Sequence, residues 1–133
     1  MAQQIYVNLP VRDLERSKAF FSSLGFGFNP QFTDDNAACM IVAEGIYVML
    51  LVDRFFKTFT SKTLCDAHAC TEVLVCLSCN SRKQVDQIVA KAVAAGGTAP
   101  RGPQDHGFMY GHGFEDLDGH IWELMFMEPI PRS

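Results

Sequence analysis

Residues 114–126 read Phe-Glu-Asp-Leu-Asp-Gly-His-Ile-Trp-Glu-Leu-Met-Phe, and a weaker copy of this stretch occurs in the first half of the chain. The copy starts at Glu44-Gly45, which aligns with Asp118-Gly119. A second alternating pattern at 6–11 aligns with residues 72–77. Each half therefore predicts the same succession: a strand, a helix that ends at glycine, a turn and further strands.

The repeat predicts an α+β chain made of two similar modules. At 133 residues, the chain has the length of one domain. We predict a single domain over 1–133, with module 1 at about 1–52, a connector at 53–71 and module 2 at about 72–128. The connector is rich in phenylalanine and predicts a short helix.

Two similar halves are expected to be related by a pseudo-twofold axis. Equivalent residues would then face each other around a shared groove, which is the natural place for chemistry. The aligned positions that would face this groove are Tyr6, Met49, Glu72 and Glu123.

Local signals mark the ends of two helices. Asp13 is a typical N-cap residue, and Gly25 predicts the end of the first helix. Ser81 and Gln84 form a capping-box pattern at the start of the second helix. Pro10 cannot donate a ladder hydrogen bond, so the strand at 4–11 is expected at a sheet edge, or at least with the backbone nitrogen of Pro10 pointing to solvent.

Composition and charge argue against a nucleic-acid partner and against a membrane-spanning segment. The net charge is −4 and no run of Lys or Arg occurs, which argues against nucleic acid, since phosphate binding needs a clustered basic face. The longest apolar runs, such as 46–52, fall far short of the roughly 20 residues of a membrane span. Five cysteines without an export signal are typical of free thiols in the cytoplasm.

Two motifs resemble those of a known superfamily. Residues 11–26, Val-Arg-Asp-Leu-Glu-Arg-Ser-Lys-Ala-Phe-Phe-Ser-Ser-Leu-Gly-Phe, resemble the opening of vicinal-oxygen-chelate proteins. Residues 116–124 resemble their closing motif, usually Asp-Pro-Asp-Gly followed by Glu-Leu. This superfamily includes glyoxalase I, extradiol dioxygenases, and bleomycin- and fosfomycin-resistance proteins. The resemblance implies two βαβββ modules whose sheets curl around a groove, and a homodimer.

The resemblance also implies positions for metal ligands. Metal-dependent members hold a divalent ion through His or Glu residues on the first and last strand of each module. The corresponding positions here are Tyr6, Met49, Glu72 and Glu123. A neutral phenol and a thioether are poor ligands for Zn, Mn or Fe(II). The resemblance therefore implies, at most, a weakly bound divalent metal on Glu72 and Glu123.

Glu123 is the strongest candidate for a functional residue, followed by Glu72. Glu123 interrupts an apolar strand, and a carboxylate there is costly to desolvate unless it has a partner. If both carboxylates share the groove, their repulsion raises the pKa of one of them and makes it a candidate general acid or base. The alternative is a buried structural Glu that is satisfied by the Tyr6 hydroxyl or by Asn8.

Several further residues are expected to line an apolar groove with a few polar groups, as is usual for small-molecule sites. The candidate ligand-binding residues are Tyr6, Asn8, Met49, Cys76, Tyr110 and His112.

Three functional hypotheses follow. The first is a glyoxalase/bleomycin-resistance-like protein that binds a small organic molecule without a complete catalytic metal site. The second is a divalent-metal-dependent lyase or isomerase, similar to glyoxalase I, that uses Glu72 and Glu123. The third is a fold whose groove is filled by its own side chains, so whether the chain is an enzyme stays open at this stage.

Overall fold

A computed structural model describes residues 3–129 and divides the chain into two compact units, 1–65 and 66–133. Each unit contains a four-stranded sheet and a helix packed on it. In chain order the elements are β1 (Ile5–Val11), α1 (Leu14–Ser23), β2 (Gly27–Asn29), β3 (Ala37–Ala43), β4 (Ile46–Val52), α2 (Asp53–Phe56), β5 (Leu74–Ser78), α3 (Arg82–Ala94), β6 (Gln104–Asp105), β7 (Met109–Glu115) and β8 (Ile121–Met127).

The first unit has the strand order β1-β4-β3-β2. Strands β1 and β4 are parallel, whereas the β2–β3 and β3–β4 pairs are antiparallel. The position of β1 at the edge of this sheet agrees with the expectation from Pro10, which the ladder tolerates there. The short helix predicted in the connector is present as α2, followed by one 3-10 turn at Lys57–Phe59, and α2 packs against β1 and β4.

Helix α1 begins after the predicted N-cap residue Asp13 and buries its apolar face. The Asp13 carboxylate accepts a hydrogen bond from the Arg16 amide at 3.2 Å, which satisfies a donor that the first turn leaves free. Phe20 and Phe21 are buried on the face that packs against β3 and β4. The helix ends at Gly25, whose φ of +103° is in the left-handed region.

The second unit repeats this plan, with the strand order β5-β8-β7-β6. Strand β5 is parallel to β8, and β7 is antiparallel to both β8 and β6. The predicted N-cap starts α3, since Ser81 Oγ accepts from the Gln84 amide at 3.0 Å. The reciprocal bond differs from that of a capping box, because Gln84 Oε1 accepts from the amide of Asn80 at 2.6 Å and not from that of Ser81. Helix α3 packs on β7 and β8, where Val85 and Val89 are buried.

The structure confirms the α+β class and the doubled βαβββ module. The turns that precede β4 and β8 place Gly45 at a φ of +83° and Gly119 at +87°. At Gly119 a Cβ atom would also lie 2.7 Å from the His68 amide nitrogen. Both the positive φ and this close approach require glycine at that turn.

The sequence alignment of the first strands was wrong by two residues. It matched Tyr6 with Glu72, but β5 begins only at Leu74. In the ladders Tyr6 pairs with Tyr47 and Leu74 pairs with Ile121, so Leu74 is the counterpart of Tyr6. The alternation of Val73, Val75 and Leu77 predicts which side chains share a face, but it does not determine where the strand begins.

No helix within residues 3–129 is long and apolar enough to cross a membrane.

A buried carboxylate holds the turn before β8. Asp116 is 5% exposed, and its Oδ1 accepts from the amides of Asp118 and His120 at 2.9 and 3.0 Å. Its Oδ2 accepts from Trp122 Nε1 at 3.0 Å. Burial raises the pKa of Asp116, while the neighbouring His120 and these hydrogen bonds lower it. This carboxylate therefore fixes the point at which β8 begins.

Replacing Asp116 with Ala is expected to destabilise the protein, because three donors lose their acceptor in or near the core. We expect the free energy of unfolding to fall by about 2–4 kcal/mol, measured by urea denaturation. The matched control is Asp35→Ala, since Asp35 is exposed, and its expected change is within about 0.5 kcal/mol. Equal effects of the two substitutions would contradict the role assigned to Asp116.

Candidate functional site

A cavity of about 300 Å³ lies on the sheet of the second unit. Its location follows from the alternation of β8: Trp122 and Leu124 are buried on one face, so Glu123 and Met125 project from the other. The apolar part of the cavity wall includes Leu74, Met109, Ile121 and Met125. The polar and ionisable residues of the wall are Cys76, Arg101, Gln104, His112, Glu115 and Glu123.

Glu123 occupies the centre of this sheet face. It pairs with Cys76 of β5 on one side and with Gly113 of β7 on the other. A Cβ atom at Gly113 would lie 3.0 Å from Glu123 Oε2 and 2.7 Å from the Trp122 carbonyl oxygen. The missing side chain of Gly113 therefore leaves room for the carboxylate to lie over β7.

The Glu123 carboxylate has no hydrogen-bond or ion-pair partner among residues 3–129. The alternative of a structural Glu satisfied by Tyr6 or Asn8 therefore has no support in the hydrogen bonds. The Tyr6 hydroxyl donates instead to Gln4 Oε1, and Asn8 Nδ2 donates to the Tyr6 carbonyl oxygen.

The Cys76 thiol lies close enough to Glu123 to experience its charge. Burial raises the pKa of Cys76, and the negative charge of Glu123 raises it further. Burial also raises the pKa of Cys79, and Cys76 adds to that effect. A raised pKa keeps a thiol protonated near neutral pH, so Cys76 contributes a weak hydrogen-bond donor and a small apolar surface.

His112 anchors the Arg101 segment at one rim of the cavity, although it pairs with the buried Leu124 and its ring therefore lies on the face opposite Glu123. Its Nε2 lies 3.2 Å from the carbonyl oxygen of Arg101. Because a carbonyl can only accept, Nε2 carries the proton and donates. The other ring nitrogen, Nδ1, is buried and has no hydrogen-bond partner among the described residues.

The Tyr110 side chain contacts α3 and does not face the cavity. Its hydroxyl donates to Asp86 of α3 at 2.5 Å, and the guanidinium of Arg82 lies 5.3 Å from the centre of its ring. Arg82 also binds Asp105 Oδ2 and the Gly107 carbonyl oxygen, each at 2.8 Å. These contacts tie the β6–β7 hairpin, which borders the cavity through Gln104 and Met109, to the start of α3.

The remaining predicted residues do not belong to this cavity. Glu72 is exposed and precedes β5 by two residues. Tyr6, Asn8 and Met49 lie in the first unit, where Asn8 pairs with Met49 and Tyr6 stacks on Tyr47 with ring centres 4.9 Å apart.

The divalent metal that the resemblance implies would need several ligand side chains close together. Within residues 3–129, no group of three or more His, Cys, Asp or Glu side chains could hold a metal ion. In the second unit Glu123 has a thiol and a glycine as its lateral neighbours. These residues do not fit a site with three or four oxygen or imidazole ligands.

Comparison with known proteins gives matches over nearly the whole chain. Residues 3–43 match the family model described as bleomycin resistance protein-like N-terminal. The solved structure of hypothetical protein SA1046 from S. aureus is 33% identical, with 95% of each chain covered and a TM-score of 0.80. No match was found among curated proteins.

Two more distant structures share the fold. A glyoxalase/bleomycin resistance protein/dioxygenase family enzyme from Burkholderia phytofirmans PsJN is 18% identical, covering 95% of this chain and 99% of that one, with a TM-score of 0.79. The fosfomycin resistance protein FosX from Listeria monocytogenes is 19% identical, covering 99% and 96%, with a TM-score of 0.69.

The proximity of Cys76 and Glu123 predicts a reactivity change that needs no ligand. Glu123→Gln removes the negative charge that raises the pKa of Cys76, so more thiolate forms at a given pH. We expect iodoacetamide to alkylate Cys76 roughly two- to fivefold faster at about pH 8, as followed by peptide mass spectrometry. The exposed Cys70 is the internal reference and should not change. An unchanged rate at Cys76 would contradict the described geometry.

Proposed function

This chain belongs to the vicinal-oxygen-chelate superfamily, and we propose that it binds a small organic molecule in the cavity of its second unit. Glu123 is the polar anchor of the proposed site, which works without a complete catalytic metal site. The observation that carries the proposal is the Glu123 carboxylate, which lies in a largely apolar cavity and has no hydrogen-bond or ion-pair partner among residues 3–129.

The carboxylate limits which ligands can occupy the cavity. A ligand that covers Glu123 removes it from water, and this desolvation is costly unless the ligand supplies a donor or a positive charge. The ligand should therefore carry an ammonium, amide or similar donor group. A hydrogen bond to a charged group contributes about 1.5–3 kcal/mol.

The size and chemistry of the wall limit the remainder of the ligand. A volume of about 300 Å³ is at the lower end of the range for small-molecule sites. Leu74, Ile121 and Met125 offer aliphatic and thioether surface on two neighbouring strands, which suits a compact aromatic or aliphatic body.

The proposal includes the cytoplasm as the compartment. The five cysteines form no disulfide within the described residues 3–129, and reduced thiols are typical of the cytoplasm. The homodimer and the lack of a nucleic-acid partner stay predictions from the sequence.

The proposal is tested with 2-phenylethylamine, a compact aromatic cation. We expect it to bind wild-type protein in the presence of EDTA and to shift amide signals of β7 and β8 in a heteronuclear NMR titration. Glu123→Gln should weaken binding about 10- to 100-fold, because the charge-assisted hydrogen bond is lost. Glu72→Gln is the matched control, since Glu72 is exposed outside the cavity, and should leave the affinity unchanged.

The metal-dependent lyase or isomerase is tested in the same titration. If the proposed function is correct, wild-type protein binds 2-phenylethylamine with the same affinity in EDTA and in Mn²⁺. Binding that requires the ion, or that is weakened equally by Glu72→Gln and Glu123→Gln, would contradict the proposal and favour the metal-dependent alternative.

A further inference from the structure

We infer that Arg101 is a second recognition group of this cavity and that the ligand is a zwitterion or a similar molecule. Such a ligand carries a hydrogen-bond donor for Glu123 and an anionic group for Arg101. Its apolar body contacts the wall formed by Leu74, Ile121 and Met125. This inference rests on the proposed function and names the class of ligand.

Arg101 is brought to the cavity by the segment between α3 and β6, which runs alongside β7. The backbone groups of Thr98 and Glu115 exchange hydrogen bonds of 3.0 and 2.7 Å, and Gln104 pairs with Gly111. Between these two anchors, the His112 ring binds the Arg101 carbonyl oxygen. The backbone of Arg101 is thus held beside the middle of β7, and the residue lines the cavity.

Gly113 allows the Glu123 carboxylate to approach the segment that carries Arg101. Cys76, Glu123 and Gly113 form one row across strands β5, β8 and β7. The segment with Arg101 lies on the other side of β7, next to Gly113. Two strand spacings of about 4.8 Å separate the backbone of β8 from that segment. A Cβ atom at Gly113 would lie 3.0 Å from Glu123 Oε2, so glycine lets the carboxylate extend over β7 towards the segment with Arg101, where one ligand can contact both charged residues.

Both charged groups are unsatisfied. The guanidinium of Arg101 has no hydrogen-bond or ion-pair partner among residues 3–129, and neither has the carboxylate of Glu123. A guanidinium presents a planar pair of donors that matches a carboxylate or phosphonate. Two residues of opposite charge that line one largely apolar cavity therefore fit a ligand that carries both complementary charges.

The test uses three probes with the same phenyl body: phenylalanine, 2-phenylethylamine and 3-phenylpropanoate. Near pH 7 they are zwitterionic, cationic and anionic. Affinities are measured by NMR titration on wild type, Arg101→Gln, Arg101→Lys and Glu123→Gln. Lys91→Gln, an exposed change on α3, controls for net charge, and the amide spectrum of each variant verifies that it is folded.

We expect phenylalanine to bind wild type more tightly than either singly charged probe. Arg101→Gln should weaken phenylalanine about tenfold and should not weaken 2-phenylethylamine. Arg101→Lys should restore part of the loss, because it keeps the charge but not the planar pair of donors. Lys91→Gln should change none of the three affinities.

Two results would overturn the inference while leaving the proposed function standing. In the first, 2-phenylethylamine binds as tightly as phenylalanine and Arg101→Gln changes neither affinity. In the second, Arg101→Gln tightens the binding of both amines, which would mean that Arg101 closes the cavity by pairing with Glu123. If none of the three probes binds wild type at millimolar concentration, both the inference and the proposed function fail.

Discussion

The antiparallel pairing of β7 and β8 sets Gly113 opposite Glu123, and the character of the site depends on this pair. An acidic side chain on the apolar face of a sheet is costly when neighbouring side chains cover it. Glycine at the opposed position leaves the Glu123 carboxylate uncovered, and this carboxylate has no partner within the part of the chain that the structure describes. Any residue with a Cβ would clash with the backbone at 2.7 Å, so the shape of the cavity and the exposure of the carboxylate come from one constraint.

The two modules share a topology but differ in chemistry at equivalent positions. In the first unit Asn8, Met49 and Cys39 form the row that Cys76, Glu123 and Gly113 form in the second. A thioether therefore stands where the second unit has a carboxylate, and cysteine stands where it has glycine. Of these two rows, only the second contains a carboxylate, Glu123. One carboxylate beside a thiol and a glycine does not fit a divalent metal. A ligand with complementary charges fits this row better.

Much of the fold could be predicted from local signals. Asp13, Ser81 and the glycines after both helices act through hydrogen bonds and backbone conformations within a few residues, so their positions are readable in the sequence. Period-two alternation likewise placed Trp122 and Leu124 on the buried face and Glu123 on the other. The two-residue error at β5 arose because alternation fixes the face of a strand but not its start. The short edge strands β2 and β6 carry too few residues to show a period.

The site was only partly predictable for the same reason. Glu123 is recognisable as a charge in an apolar strand, and Cys76 follows from alternation. Arg101 lies in a segment rich in Pro and Gly that has no periodicity, and its place is set by contacts with Glu115, His112 and Gly111. Such contacts between distant residues become visible only in the folded chain.

The most direct test of the central claim is an isotope-filtered NOE experiment on the complex with phenylalanine. We expect NOEs from the ligand α-proton to the α-protons of Gly113, and from the ligand ring to the methyl group of Met125. These contacts would place the charged end of the ligand at the Glu123–Gly113 pair and its apolar body on the cavity wall. Ligand NOEs confined to residues outside β7 and β8 would contradict the claim that this pair forms the recognition site.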